Sequence, residues 1–154
     1  DIWNKNKLLF QINFMIKENY NISHTTYEVR NSHNKRIGIR KARNFSHFKE
    51  LLPSCDIGLS SVVVEKKVFT SEIKFSKQKT KEDFILWLKI LKKNIQIAGI
   101  DKNLMSWHLT KNSLSSSIIQ KIRDGYFVYS KFMKFNLFKS LFFLFLLSVN
   151  SLLK

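Results

Sequence analysis

Helix-period and strand-period apolar segments alternate along this chain, and that alternation confines it to an α/β fold. Leu8, Leu9, Ile12, Met15 and Ile16 recur at helical spacing, so residues from about 4 to 19 read as an amphipathic helix packing on a sheet. Residues 22–29 (Ile-Ser-His-Thr-Thr-Tyr-Glu-Val) are β-branched and alternating, residues 31–35 carry turn chemistry, and residues 36–39 return as the second strand of a hairpin. A short helix over 45–52 is stopped by Pro53, and residues 59–65 hold three consecutive valines, the pattern of a buried core strand. Thr80-Lys81-Glu82-Asp83 precedes Phe84, Trp87, Leu88 and Leu91 at i, i+3, i+4 and i+7, which predicts a helix with an acidic, cap-like first turn. Two short strands over 95–100 and 104–109 follow, then a Ser-rich linker at 113–117 and a helix with Ile118, Ile122, Tyr126, Tyr129 and Met133 on one face.

The last segment differs in kind. Residues 140–153 contain no charge and include an unbroken apolar run at 141–147, flanked by Lys131, Lys134, Lys139 and Lys154. As a helix these 14 residues reach about 21 Å, short of the roughly 30 Å hydrocarbon core of a bilayer. The segment therefore reads as a helix lying on an anionic membrane surface, or as one that closes the domain core or packs on a further part of the protein. Two regions result: 1–112, an α/β body, and 113–154, a helical C-terminal extension.

Composition narrows the class. With 154 residues, 44% of them hydrophobic, four Gly and one Pro, the chain is one domain's worth of globular material and not collagen-like, linker-like or disordered. A single cysteine, Cys55, excludes an intrachain disulfide, and without a Cys/His cluster no structural zinc site is expected. Residue 1 is Asp, and residues 1–20 show no charged region followed by an apolar one, so no signal peptide is visible and a cytoplasmic setting is expected. The net charge of +16 attracts polyanions, yet only five of the 27 cations are Arg. A dedicated phosphate reader favours clustered Arg interleaved with aromatics, and that signature is missing. A small basic nucleic-acid or ribosome-binding protein, or a membrane-associated structural protein, is thus the alternative reading, and no specific nucleic acid is expected as partner.

The four histidines (24, 33, 47 and 108) have no partner at ligand spacing and follow no nucleophile motif, so they read as surface or core residues. Glu82 and Asp83 are adjacent acids pointing in different directions from a helix's first turn, so one can cap while the other faces a cleft.

At this point the residues match a known pattern. The opening Asp1-Ile2-Trp3-Asn4-Lys5-Asn6-Lys7-Leu8, continuing to Gln11, resembles the end of the metal motif of family 2 glycosyltransferases, the nucleotide-sugar enzymes of the GT-A fold. Ile22-Ser23-His24-Thr25-Thr26-Tyr27, Cys55-Asp56-Ile57-Gly58-Leu59-Ser60-Ser61-Val62 and Lys81-Glu82-Asp83-Phe84-Ile85-Leu86-Trp87-Leu88-Lys89-Ile90 follow in that family's order. Glu-Asp-x-x-Leu-Trp-Leu is the most specific block. The resemblance implies the C-terminal half of a GT-A fold: an incomplete mixed sheet with flanking helices and a helical tail, carrying the acceptor side while the nucleotide-binding half is absent.

The resemblance also implies roles. Asp83 matches the general base that deprotonates the acceptor hydroxyl in inverting members, with Glu82 beside it to tune its pKa. Asp1 matches the final acid of the metal motif, which holds Mg²⁺ or Mn²⁺ against the donor diphosphate. Ser60, Ser61 and His108 fall in substrate-side blocks, and Trp87 is either a sugar platform or a core residue. His108 stands where Arg is usual and Thr110 where His is usual. The implied partners are a nucleotide-diphospho-sugar donor, a glycan or lipid-linked acceptor of the cell envelope and an anionic membrane surface. The implied location is cytoplasmic, peripheral at the cytoplasmic face of the inner membrane.

Overall fold

The computed structural model describes residues 1–78, 80–109 and 117–153. Its elements run β1 (Ile2–Trp3), α1 (Lys7–Lys17), β2 (Ile22–Arg30), β3 (Arg36–Arg40), α2 (Phe48–Leu51), β4 (Val63–Val64), α3 (Glu82–Lys92), β5 (Ala98–His108), α4 (Ile118–Phe127) and α5 (Leu137–Leu152). The strands form one mixed sheet in the order β1-β5-β2-β3, with β4 also pairing β2. β2 and β5 are parallel; β1–β5, β2–β3 and β2–β4 are antiparallel. The expected β2–β3 hairpin is present, closed by Asn31, whose side chain accepts from the His33 and Lys35 amides.

The core lies between this sheet and the helices. α3 is apolar nearly all round, and such a helix must be covered on most sides. Phe84, Ile85, Leu86, Trp87, Leu88, Ile90 and Leu91 are all buried, in one cluster with Ile22, Phe45, Leu51 and Ile57. Val128, Tyr129, Met133 and Leu147 from the C-terminal helices belong to the same cluster. Tyr129 donates its hydroxyl hydrogen to Leu52 O at 2.6 Å, tying the C-terminal helices to the end of α2. Where β5 begins, the backbone of Gly99 lies against that of Arg43; a Cβ there would overlap Arg43 backbone atoms, so only glycine fits.

Four expectations change. α1 buries Lys7, Gln11 and Met15, while Leu8, Leu9, Ile12 and Ile16 remain exposed. The reason is the polar surface beneath it: Gln11 Nε2 donates to Ser23 Oγ, Ser23 O and Ser61 O, and a buried amide with three acceptors outweighs an apolar stripe with no wall to meet. The expected core strand over 59–65 is instead a 3-10 turn, Leu59–Ser61, followed by the two-residue β4, whose valines are only partly covered. The two strands expected over 95–109 are one strand, β5; register shifts against Thr25, Thr26 and Tyr27 absorb the polar Asp101-Lys102-Asn103 stretch that reads as a break. The helix expected through Met133 leaves α geometry after Phe127 and continues as a π turn, Val128–Phe132, so Ile118 and Ile122 face solvent while Tyr129 and Met133 face the core. The Ser-rich linker at 113–116 and Thr110 lie outside the described residues.

α5 has two apolar faces. Ser140 and Leu147 are buried, and Phe143 and Leu144 pack against the core cluster. Phe138, Leu141, Phe142, Phe145 and Leu152 point away from it and are exposed. Among the described residues no helix is long and apolar enough to cross a membrane.

Candidate active site

The N-terminus of α3 is fixed by two unusual features. Lys81, its N-cap, has φ 66° and ψ 12°, a left-handed backbone that costs a non-glycine residue about 1 kcal/mol or more. Thr80 before it is buried and donates both its backbone N–H (3.2 Å) and its hydroxyl (2.5 Å) to Asp124 Oδ2 of α4. Gln120 Nε2 donates to the other oxygen at 2.8 Å. Burial pushes the Asp124 carboxyl up, but the donors from Gln120 and Thr80 outweigh it and hold the group below the usual carboxylate range. A sharp, strained turn thus aims the first two residues of α3, Glu82 and Asp83, into a cleft.

That cleft, of about 640 Å³, is lined by acids from two places in the chain, Asp1 and the pair Glu82 and Asp83. Ser60, on the 3-10 turn, lines it too and donates its hydroxyl to Asp1 Oδ2. Tyr27 of β2 and Met105 and Trp107 of β5 contribute a partly aromatic wall, while Arg40, Lys81 and Lys121 supply cations. At this wall a Cβ on Gly58 would stand 2.8 Å from the Tyr27 hydroxyl and 2.9 Å from its ring carbons, so a larger residue there would have to displace the end of the Tyr27 ring.

Electrostatics single out Asp83. Its half-buried carboxylate accepts a hydrogen bond from the Phe84 N–H at 2.7 Å. Burial raises its pKa above the usual carboxylate range, and the neighbouring Glu82 charge adds to that, against the Phe84 amide and Lys81. Burial, Cys55 and the Asp83 carboxylate together push the Tyr27 phenol up to about 12, against Arg40. A carboxylate moved towards neutral pH, beside an open cleft, is equipped to accept a proton from a bound hydroxyl.

The structure thus gathers Asp1, Ser60, Glu82 and Asp83 around one space, although 82 residue positions separate the first and last in sequence. Three other expected site residues lie elsewhere. Trp87 is 1% exposed, donates its indole N–H to Ile57 O and so has no ring face to offer a sugar. Ser61 is buried and donates its hydroxyl to Gly58 O. His108, near the end of β5, has its Nε2 3.2 Å from Asn34 Oδ1 and does not line the cleft. His24 is a core histidine: its Nε2 lies 2.8 Å from Arg43 O and burial lowers its pKa to about 4. Tyr27, Arg40, Trp107 and Lys121 are cleft residues to which sequence reasoning gave no role. Arg40 alone left a signal, as one of five arginines in a chain that otherwise uses lysine.

Asp1 offers a carboxylate, but among the described residues no group of three or more His, Cys, Asp or Glu side chains converges to hold an ion.

No family model matches the chain. Curated relatives do. It is 32% identical over 87% of its length to the UDP-Glc:alpha-D-GlcNAc-diphosphoundecaprenol beta-1,3-glucosyltransferase WfgD of Escherichia coli, covering 52% of that protein. It is 27% identical over 91% of its length to the putative teichuronic acid biosynthesis glycosyltransferase TuaG of Bacillus subtilis, covering 56% of it. An uncharacterized glycosyltransferase of Rickettsia felis matches at 32% over 68% of the chain and 17% of the relative. The chain spans about half the length of the first two. Its curated relatives are glycosyltransferases, and the chain corresponds to the C-terminal part of their sequences.

Proposed function

We propose that the protein is the acceptor-side half of a family 2, inverting glycosyltransferase, acting in cell-envelope polysaccharide synthesis. The observation that carries this reading is Asp83, a carboxylate whose pKa burial raises, set by a strained turn in a cleft with Glu82, Asp1 and Ser60. Asp83 takes the proton of an acceptor hydroxyl as that oxygen attacks the anomeric carbon of a nucleotide-diphospho-sugar. The bond from that carbon to the diphosphate oxygen breaks, and the nucleoside diphosphate leaves with the electron pair. Glu82 keeps the base's proton affinity high, and Arg40, Lys81 and Lys121 give the cleft positive charge to set against phosphate. The acceptor is a glycan or a lipid-linked sugar, met at the cytoplasmic face of the inner membrane.

The nucleotide-binding half is supplied by sequence corresponding to the first part of the relatives, and the exposed Leu8, Leu9, Ile12 and Ile16 of α1 offer it an apolar seat. Asp1 would give a Mg²⁺ or Mn²⁺ ion a single carboxylate, so the other protein ligands of such an ion come from that half.

The test is a full-length protein in which the first half of the Escherichia coli relative precedes Asp1, assayed for transfer from UDP-glucose to a lipid-linked N-acetylglucosamine acceptor. Asp83→Asn should lower turnover by about two to four orders of magnitude, the scale of a lost positioned base. Transfer that persists undiminished in the Asp83→Asn protein would overturn the assignment.

A further inference from the structure

We propose that the outer stripe of α5, together with the exposed isoleucines of α4, is the surface by which this protein rests on an anionic lipid bilayer. Phe138, Leu141, Phe142, Phe145 and Leu152 follow one another at i, i+3, i+4, i+7 and i+14, so they form one continuous ridge. Phe138 is 82% exposed and Phe145 65%, whereas Ser140 and Leu147 on the opposite side are buried. The core is therefore already closed by one face of α5, and closing it does not account for the other.

α4 adds exposed apolar residues of its own. Gly125 meets Leu144 and Leu147 of α5, and Lys121, one turn earlier, lines the cleft with Leu147 and Ser151. The two helices thus run antiparallel, which carries Ile118 and Ile122 towards the Leu152 end. Ile118, Ile119 and Ile122 are exposed.

Charge decides what covers this ridge. Lys121, Arg123, Lys131, Lys134 and Lys139 are exposed on or beside the two helices, and Lys139 lies over the Phe135 ring. The only acid of residues 117–153 is Asp124, which is buried and occupied by Thr80 and Gln120. An apolar ridge edged by cations and free of exposed acids suits the interface of an anionic bilayer, where apolar groups enter the acyl boundary and lysines meet headgroups. A second copy of the chain would bring another +16 charge to the same place. Leu147 and Ser151, on the other side of α5, line the cleft, so the ridge and the cleft occupy opposite sides of one helix. The docking surface stands on this geometry and charge and does not rest on the glycosyl-transfer reading.

The experiment is flotation of the chain with vesicles of phosphatidylglycerol and phosphatidylcholine, and with phosphatidylcholine alone. Wild-type protein should float with the anionic vesicles and be released by high salt. Phe138→Glu with Phe145→Glu should lower partitioning by about 100-fold or more, since each phenylalanine contributes about 10-fold or more when buried. Lys131→Gln, Lys134→Gln and Lys139→Gln should each lower it about fivefold. The double Glu variant should keep the circular dichroism and melting temperature of the wild type, and Leu152→Glu provides an independent probe at the other end of the ridge. Wild-type protein that stays in solution with anionic vesicles, or variants that float as well as wild type, would overturn the proposal. So would a stable dimer that the double Glu substitution disperses, with no flotation, which would assign the ridge to a second copy. Vesicle binding without sugar transfer in the full-length protein would remove the transfer reading and leave this surface standing; transfer to a soluble acceptor without vesicle binding would do the reverse.

Discussion

Replacing Asp83 by asparagine should make this chain more stable at neutral pH, the opposite of what a structural helix cap would do. Asparagine keeps the shape and the Oδ1 acceptor for the Phe84 N–H, which is 2.7 Å away, and removes the charge that burial disfavours. Losing a carboxylate from the first turn of α3 forfeits about 0.3–1 kcal/mol of interaction with the helix dipole. Burial and Glu82 raise its pKa against the Phe84 and Asp83 amides and Lys81, so the charged form is the disfavoured one. The net gain expected is about 0.5–2 kcal/mol, at the low end because the carboxylate is only half-buried. For a chain of this size that is roughly 1–8 °C in Tm. The sign follows from linkage. With a folded-state pKa above the unfolded value, Asp83 contributes its full stability below about pH 4 and loses it as pH rises through the folded value. The difference between wild type and Asp83→Asn should therefore be largest near neutral pH and vanish in acid. Urea denaturation of both proteins at neutral and acid pH measures it. A variant less stable than wild type at neutral pH would show that the acid is a cap, and the argument from desolvation would fail.

Lys7 presents the same physics with the opposite charge. Its amine is buried above the Trp3 ring with no hydrogen-bond partner among the described residues, and burial lowers its pKa to about 8; Lys7→Met should gain about 1 kcal/mol near neutral pH, a gain that shrinks as pH rises past 8 in denaturant titrations. Gly99→Ala should cost about 2–4 kcal/mol in the same assay. Its Cβ pushes the Arg43 backbone away and strains both the Asn44 bond to the Gly99 N–H and the adjacent Phe45–Ile97 bridge. Asp124→Asn should cost about 1–3 kcal/mol, because one amide cannot accept from Thr80 and Gln120 together. Wild-type Asp124, with its pKa held low, contributes stability above about pH 4 that is lost as pH falls through the folded value, so the cost should shrink in acid.

Local pattern alone determined much of this protein. α3 was readable because its apolar positions and acidic first turn belong to one short window, and the β2–β3 hairpin because alternation and turn residues are contiguous. The order of short motifs sufficed to relate the chain to glycosyltransferases. What tertiary structure decided are the matters of facing. The apolar stripe of α1 said only that two faces differ; the hydrogen-bond acceptors on Ser23 and Ser61 turned the Gln11 face inward. Trp87 had a place in the motif, but the sheet and helices around α3 closed over its ring. The cleft itself is made by pairs remote in sequence, Ser60 with Asp1 and Thr80 with Asp124, and no window along the chain contains both members of either. Periodicity is a property of neighbours along the chain, whereas burial and partnership depend on which distant surface arrives, and that is settled only when the whole chain packs.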